Sequence, residues 1–581
     1  MSRGSTTRYP STVPSSTAFG WTLHRLTPPS RVFGANGLRT GPDGRVYIAQ
    51  VTGSQVSALD VDAGTVQAIS PKGGGIVGPD DVAFDDAGRL IATEVMNGRV
   101  SMLDGGVTRV LRDDVPSANG ITVHRGRLFV GECRPGGRLL ELDLAGGAPR
   151  VICENLPSPN AMEFGPDGLL YFPVMDANEI WRIDVDGDSG PQTVAGGLGV
   201  PDSVKFGPDG QIVSTQVFSG QVLRIDPQTG SQTLLAQLSP GLDNCTFVGD
   251  RLFVSNFTGE ITEIGADGGV RTALPGGLNW PLDLAVGDDG ALYVADGTFA
   301  YRLAVDGAPG DREPAKETAG FGEQCSSAST RPGAKEIAGF GEQCSSASTR
   351  PGAKEIAGML FTPGYPGFLR GLTPAGPGLF LVTTANGDLA RWRPATSETE
   401  VLAGGFDQLY GVALAPDGAA LAVEQGTGRV LAIRDGDTEI LADGLDTPVG
   451  IALTPAGEVL VSESGAGRVA TVAGGRSRPL IEGLVQPQGL LVRDGTVYVV
   501  DAGSKEVLAV DLTEGTRSVI ATGLPVGAPA GVTPKPLLGM PPFSGPQGPF
   551  AGIAAGADGT LFVSADADGS VLALRPGKPR P

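Results

Sequence analysis

A unit of about forty residues returns twelve times along this 581-residue chain, and that period decides most of what the chain can fold into. The units start near residues 36, 80, 119, 160, 202, 243, 282, 368, 410, 449, 488 and 551. Each reads as an apolar strand, a Pro-Asp-Gly-like turn and further strands; the run Asn160-Ala-Met-Glu-Phe-Gly-Pro-Asp-Gly-Leu-Leu-Tyr-Phe is a plain example. In that unit the spacing predicts strand A over about 161–165, a turn at 165–168, and strands B, C and D over about 169–174, 179–184 and 191–195. Helical periodicity is absent, and 90 glycines with only 6% aromatic residues suit many short strands and tight turns. Four strands per forty residues is the signature of a propeller blade.

Twelve blades in one ring would leave a wide central hole, so the expected fold is all-β, two tandem six-bladed β-propellers. The last unit runs out at 575–581 without a fourth strand, and the N-terminal side has a spare strand near 20–26. The symmetrical solution lends one strand to each ring. Residues 20–27 then close the sixth blade of ring one, 269–275 close the last blade of ring two, and the boundary falls near 267. The domains expected are a disordered tail over 1–19, a propeller with a metal site over 20–267, and a second propeller over 268–581.

A 19-residue unit occurs twice within 315–352, the copies differing only at Thr318 and Ile337, and a partial third copy covers 353–358. All three copies offer a strand D for one blade, at 315–320, 334–339 and 353–358. Only the last is in the right place, so 307–352 is expected to be a loop insertion. It carries Cys325 and Cys344. The Pro/Gly-rich stretch 524–550 is expected to be a long loop over one face.

At the start of strand A the first six units carry only Asn or Asp: Asn36, Asp80, Asn119, Asn160, Asp202 and Asp243. The second six carry Leu282, Phe368, Tyr410, Val449, Gln488 and Ala551. Strand A lines a propeller's channel, so the first ring presents converging oxygens and the second does not. Hard cations take six to eight such oxygens, at about 2.3–2.6 Å for calcium. Converging carboxylates repel unless a cation or protons neutralise them. The favoured ligands are Asn119, Asn160, Asp202 and Asp243, with Asn244 in addition; Asn36 and Asp80 share the register. The competing reading is that these residues cap strand starts through side chain to backbone bonds, which the apolar residues of the second half weaken.

The end of strand B behaves differently. Gln50, Glu94, Glu132, Gln216 and Asn256 in the first half face Asp296, Glu424, Glu463 and Asp501 in the second. A polar group in both halves points to a shared architectural job, with Glu94 and Glu132 kept as lesser candidates for acid–base work.

The formal charge of −21 argues against nucleic acid and anionic membranes as partners. A small-molecule substrate is expected, and a protein partner is compatible. Five cysteines without CxxC spacing, no signal-peptide pattern and no apolar run of membrane-spanning length suggest a cytoplasmic chain. There is no GxSxG, Walker A or HExxH motif. The acidic runs 184–190 and 566–569 look superficially like calcium loops but fall at blade hairpins, where turn chemistry is the plainer reading.

The units Pro159-Asn160-Ala-Met-Glu-Phe-Gly-Pro-Asp-Gly and Pro201-Asp202-Ser-Val-Lys-Phe-Gly-Pro-Asp-Gly resemble the SMP-30 (regucalcin)/gluconolactonase family, and Asp243-Asn244 before a blade strand is similar to the related paraoxonase pattern. The resemblance covers 30–265. It implies a six-bladed propeller with one divalent cation in its channel, calcium first and Mg2+, Mn2+ or Zn2+ as alternatives, and hydrolysis of lactones or related esters. It implies metal ligation by Asn160 and Asp202, Asn119 near the metal or substrate, and Asp202 or Asp243 as base. Two features depart from the family: its early-blade Glu ligand is not evident, and the histidines are only His24 and His124. The functional expectation is a metal-dependent hydrolase in the first propeller. The alternatives are a non-catalytic binding or scaffold propeller, and a lyase or synthase of the strictosidine-synthase-like kind.

Overall fold

The computed structural model describes residues 8–9, 14–305, 352–360, 362–541 and 544–577. Its described strands form twelve antiparallel sheets, eleven of four strands and one of five. They make two tandem six-bladed propellers. Ring one comprises blades over 38–70, 79–112, 118–157, 163–195, 205–237 and 242–274; ring two comprises blades over 281–359, 369–403, 409–442, 448–481, 487–522 and 553–576.

Ring one closes on itself where strand A of its sixth blade, Leu242–Val248, meets strand A of its first, Leu38–Thr40. The Thr40 amide donates to Thr246 Oγ1 at 3.1 Å, and the Thr40 hydroxyl donates to the Phe247 carbonyl at 2.6 Å. Ring two closes where the Gly552 amide reaches the Leu282 carbonyl at 3.2 Å. The apolar sides of neighbouring blades pack face to face, as where Val32, Leu38 and Ile48 meet Phe253 and Ile261.

Two sequence features set this geometry locally. In the Gly-Pro-Asp-Gly turn the Asp167 carboxylate accepts the Leu169 amide at 3.1 Å, and Gly168 takes φ +81°, where a side chain would be strained. Next to the axis, strands A approach so closely that a Cβ on Gly120 would lie 2.2 Å from the Asn160 carbonyl, and one on Gly450 would lie 2.1 Å from that of Gln488. Glycine is needed there for room, not for an unusual φ.

The closing strands are the reverse of the sequence expectation. Trp21–Arg25 pairs with Ser570–Pro576 and so closes the last blade of ring two, while Val270–Leu274 pairs with Ile261–Ile264 and closes the sixth blade of ring one. The reason is loop entropy. Strand 270–274 follows its neighbour across a tight turn, in which the Gly269 amide binds Asp267 Oδ1 at 2.9 Å. Recruiting a partner from more than two hundred residues away would cost more. Ring one therefore runs on past 267 to Leu274, and ring two is completed by the N-terminal side of the chain. The tail expected to be disordered over 1–19 also holds structure in its described part: Ser16–Thr17 adds a fifth strand to the 487–522 blade, and Arg8 and Tyr9 are buried.

Of the three candidate fourth strands for the 281–359 blade, the last forms, as Lys354–Met359 against Phe299–Leu303. The other two, with Cys325 and Cys344, lie outside the described residues. The stretch 524–550 does cross between the rings. Asn97 of ring one binds it twice, accepting the Leu538 amide at 3.2 Å and donating to the Pro536 carbonyl at 3.3 Å. Among the described residues no helix is long and apolar enough to cross a membrane.

Candidate active site

Strand A of each ring-one blade begins at the channel mouth, and all six Asn/Asp residues there line one cavity of about 370 Å³. Asn36, Asp80, Asn119, Asn160, Asp202 and Asp243 are each at least nine-tenths buried. Two carboxylates are held by amides: Asn160 Nδ2 donates to Asp202 Oδ2 at 3.1 Å, and Asn36 Nδ2 donates to Asp243 Oδ2 at 3.0 Å. The Asn36 carbonyl accepts the Val51 amide at 3.1 Å, so this one member does cap backbone as the competing reading expects. The carbonyl oxygens of Asn119 and Asn160 are buried without a partner.

The electrostatics follow from burial and crowding. Burial, with the neighbouring Asp81 charge, pushes the Asp80 carboxyl up to about 8. Burial raises Asp202 well above the usual carboxylate range, helped by Asp80 and Asp81; it does the same to Asp243, helped by Asp202 and Asp80. Three carboxyls whose ionisation is opposed by burial and by one another stand beside two amide oxygens without donors, an environment short of positive charge. That donor set, all oxygen and part anionic, fits a hard divalent cation. Among the described residues no three His, Cys, Asp or Glu side chains stand close enough to hold a metal by themselves, so the amide oxygens would be needed.

Asn244 does not join this set. It lies one residue past the mouth, its Oδ1 accepts the Cys245 amide at 2.8 Å, and it is not part of the cavity lining. A β-bulge between Leu242 and Cys245 interrupts the alternation there, and the Asn244 side chain turns its oxygen back onto its own strand. Glu94 and Glu132 are also outside it. Glu94 accepts the Val77 amide at 3.1 Å and Arg99 Nε at 2.9 Å, and Glu132 is bound by Arg134 and Arg138. The same task recurs in ring two, where Asp296 accepts the Asn279 and Trp280 amides at 2.8 and 2.7 Å, and Glu424 accepts that of Asp407 at 2.8 Å. The end of strand B thus pins the segment leading into its own blade. His124 stacks on Phe164 at 4.1 Å and His24 lies on the N-terminal closing strand; neither lines the cavity. In the two calcium-like runs, Asp186 pairs with Arg127 at 2.7 Å and Asp568 with Arg25 at 2.5 Å.

Several lining residues escaped the sequence reading. Asp176 accepts the Ser158 hydroxyl at 2.6 Å, and both reach the cavity, Ser158 from the segment before strand A of the fourth blade and Asp176 from the turn after its strand B. The run Met175-Asp-Ala-Asn178, placed between strands B and C, was the available signal. Thr298, Leu360, Phe368 and Met540 come from ring two and cover the mouth of ring one. No one-dimensional pattern marks them, because the two rings meet only in three dimensions.

Residues 22–257, less than half of the chain, match the family model of the SMP-30/Gluconolactonase/LRE-like region. This stretch is an SMP-30/gluconolactonase-like region. It takes in the six cavity residues of ring one. No curated protein matches the chain. Among solved structures it is similar to a streptogramin B lyase (19% identity, 47% of this chain and 94% of that one, TM-score 0.35). It is also similar to a gluconolactonase from Xanthomonas campestris (18%, 42% and 88%, 0.36) and to the calcium-binding protein regucalcin from Agrobacterium tumefaciens (18%, 41% and 87%, 0.33). Likeness at that level says nothing of activity.

The second ring corrects one register. Gly371 donates to Thr383 Oγ1 at 2.8 Å, just as Gly450 donates to Ser462 Oγ at 2.8 Å and Asn244 to Ser255 Oγ at 2.9 Å. The residue equivalent to Asp243 in the eighth blade is therefore Arg370, not Phe368, which lies two residues earlier and reaches the ring-one cavity. Arg370 is fully buried, donates to the Leu409 carbonyl at 3.0 Å and lies 4.4 Å from the centre of the Tyr410 ring.

Proposed function

We propose that the SMP-30/gluconolactonase-like ring is a divalent-metal-dependent hydrolase of lactones or small esters, acting in the cavity at its mouth. The observation that carries this reading is the pair of unpartnered amide oxygens, on Asn119 and Asn160, buried in one cavity with the carboxyls of Asp80, Asp202 and Asp243. Asn119, Asn160 and Asp202 would hold the cation, with calcium the first choice, and Asp243 and Asp80 would complete the charge balance. When bound, the cation supplies positive charge that polarises an ester carbonyl and acidifies a water.

The chain's own residues do the rest. Asn160 and Asn36 fix the orientation of the Asp202 and Asp243 carboxylates, each through one amide hydrogen bond. Asp202 or Asp243 accepts the proton released when water attacks the carbonyl carbon and returns it to the leaving alkoxide. The apolar cover excludes bulk water and keeps the local dielectric low.

The test is metal analysis of the purified protein, followed by hydrolysis of a lactone panel with and without a chelator. Bound metal with chelator-sensitive hydrolysis supports the reading; metal-free protein that hydrolyses nothing overturns it. A ligand-binding propeller without catalysis is the second reading, favoured by the Asn160–Asp202 and Asn36–Asp243 pairs, which already give each of two carboxyls a hydrogen-bond donor from within the ring. Activity insensitive to chelator would favour the synthase-like or lyase-like alternative.

A further inference from the structure

We propose that the substrate carries an apolar substituent, an alkyl or aryl chain on the lactone or ester, and that ring two supplies the seat for it through Leu360, Phe368 and Met540. This rests on the hydrolytic reading of the same cavity and adds its substrate class and specificity-determining residues.

The cavity is divided. Most of its polar groups lie on the ring-one floor, and the ring-two cover adds one oxygen, the buried Thr298 hydroxyl. Its walls are Val51, Val95, Met96, Met175 and Val200, and the cover from ring two adds Leu360, Phe368 and Met540. The cover belongs to a continuous apolar body: Val51, Val95 and Met96 of ring one pack in one cluster with Leu360, Phe368 and Leu537 of ring two, with Met540 against it. Leu360 and Phe368 retain only 8% and 4% of their exposure.

A cavity of about 370 Å³ is large enough for a small organic molecule with a chain. Beyond the Thr52 and Thr298 hydroxyls, a polyhydroxylated lactone would set its hydroxyls against Val, Met and Phe carbons, and each one left unpaired costs roughly 5- to 150-fold in affinity. An alkyl chain gains about fourfold for each methylene buried there. Three methionines at the wall and cover let the seat adapt to chains of different shape.

Met540 is positioned by ring-two chain that is itself anchored on ring one. The Met540 amide donates to the Ser544 carbonyl at 2.8 Å, and Leu538, two residues earlier, is bound by Asn97. Ring two thereby covers a site whose ring of acids and amides lies in ring one.

The experiment measures binding apart from turnover. Isothermal titration of the full chain is run with three non-hydrolysable six-membered lactams: unsubstituted, hexyl-substituted and polyhydroxylated. The matching lactones are assayed for hydrolysis in parallel. The hexyl lactam is expected to bind at least 50-fold tighter than the unsubstituted ring, and the polyhydroxylated one more weakly than either. Phe368→Asn and, separately, Met540→Ala are expected to weaken the hexyl lactam by tenfold or more and to change the unsubstituted one by less than twofold. Thermal melts establish that each variant is folded; Met540 is only partly buried, so its variant remains informative if Phe368→Asn fails to fold. No binding of any lactam, equal binding of all three, preference for the polyhydroxylated ring, or equal losses for both ligands in the variants would overturn the proposal. Chain-selective binding without hydrolysis of any lactone would sink the hydrolase reading and leave this one standing.

Discussion

The two rings are built on one blade and differ at the layer where strands A begin. In ring one that layer holds three acids and three amides around a cavity. In ring two the same layer holds Leu282, Arg370, Tyr410, Val449, Gln488 and Ala551, and its buried guanidinium is a positive charge supplied by the chain itself. Gln488 is spent on architecture, accepting the Ala551 amide at 2.6 Å. Deeper in the channels the contrast inverts. Ring one is filled by charged side chains, with Arg39 3.8 Å from both Asp81 and Glu163 and Lys205 buried nearby. Ring two has a cavity of about 490 Å³ lined mainly by Leu, Val, Ala and Ile, in which Asp283 is the acidic residue among those described. The difference teaches that ring one buries charge of both signs deep in its channel yet lines its mouth with acids and amides and, among the described residues, no side-chain cation.

The comparison can be broken most sharply at Asp202. Asp202→Ala is expected to lower kcat/KM for a lactone about 10²- to 10⁴-fold with thermal stability retained; full activity would remove ring one's distinguishing chemistry. Ring two should reveal its own acid through pH. Burial pushes Asp283 up to about 7, against backbone bonds from Leu372 and Leu284 that favour the charged form. A carboxyl whose folded pKa exceeds its unfolded value binds its proton more tightly when folded. Its stabilising effect is therefore complete below about pH 4 and is lost as pH rises to about 7, a loss of about 4 kcal/mol for a shift of this size. Urea melts between pH 4 and 8 should show a fall to which the raised acids of ring one, Asp80, Asp202 and Asp243, also contribute, and Asp283→Asn should remove the share due to Asp283; an unchanged slope in the variant would contradict the assignment.

Cation binding comes next. Calcium at a hundred times its dissociation constant should stabilise the chelated protein by about 2.7 kcal/mol, and Asp202→Ala should abolish that gain while Asp283→Asn should not. The smallest expected effects come from the two crowded glycines. Gly120→Ala and Gly450→Ala should each cost about 1–3 kcal/mol by overpacking against a carbonyl, and only the former, beside Asn160, should also impair activity. Equal activity losses would show that the rings are coupled more tightly than their contacts imply.

Much of this architecture is legible in one dimension because it is periodic. The forty-residue register, the Gly-Pro-Asp-Gly turn, the choice of 353–358 over its duplicates and the ring of Asn and Asp all follow from spacing and turn chemistry. The misses share a cause. Phe368 was assigned to a layer that Arg370 occupies, since the segment before Gly371 has no Asn or Asp to mark the strand start. Asn244 follows Asp243 directly, but the bulge at this strand start turns its oxygen onto the Cys245 amide, which residue types alone do not reveal. The two closing strands, Trp21–Arg25 and Val270–Leu274, are both five residues of mixed, largely exposed character and look alike until their partners are known.

Local chemistry along the chain therefore determined the blade, its count and the oxygen-bearing layer of ring one, since turns, alternation and strand length are settled within a few residues. Which strand closes which ring, how far the three carboxyls are driven from their usual pKa, and what covers the cavity were decided only by the tertiary structure. Those properties depend on loop entropy, burial and the meeting of two rings, and each is a sum over residues far apart in the sequence.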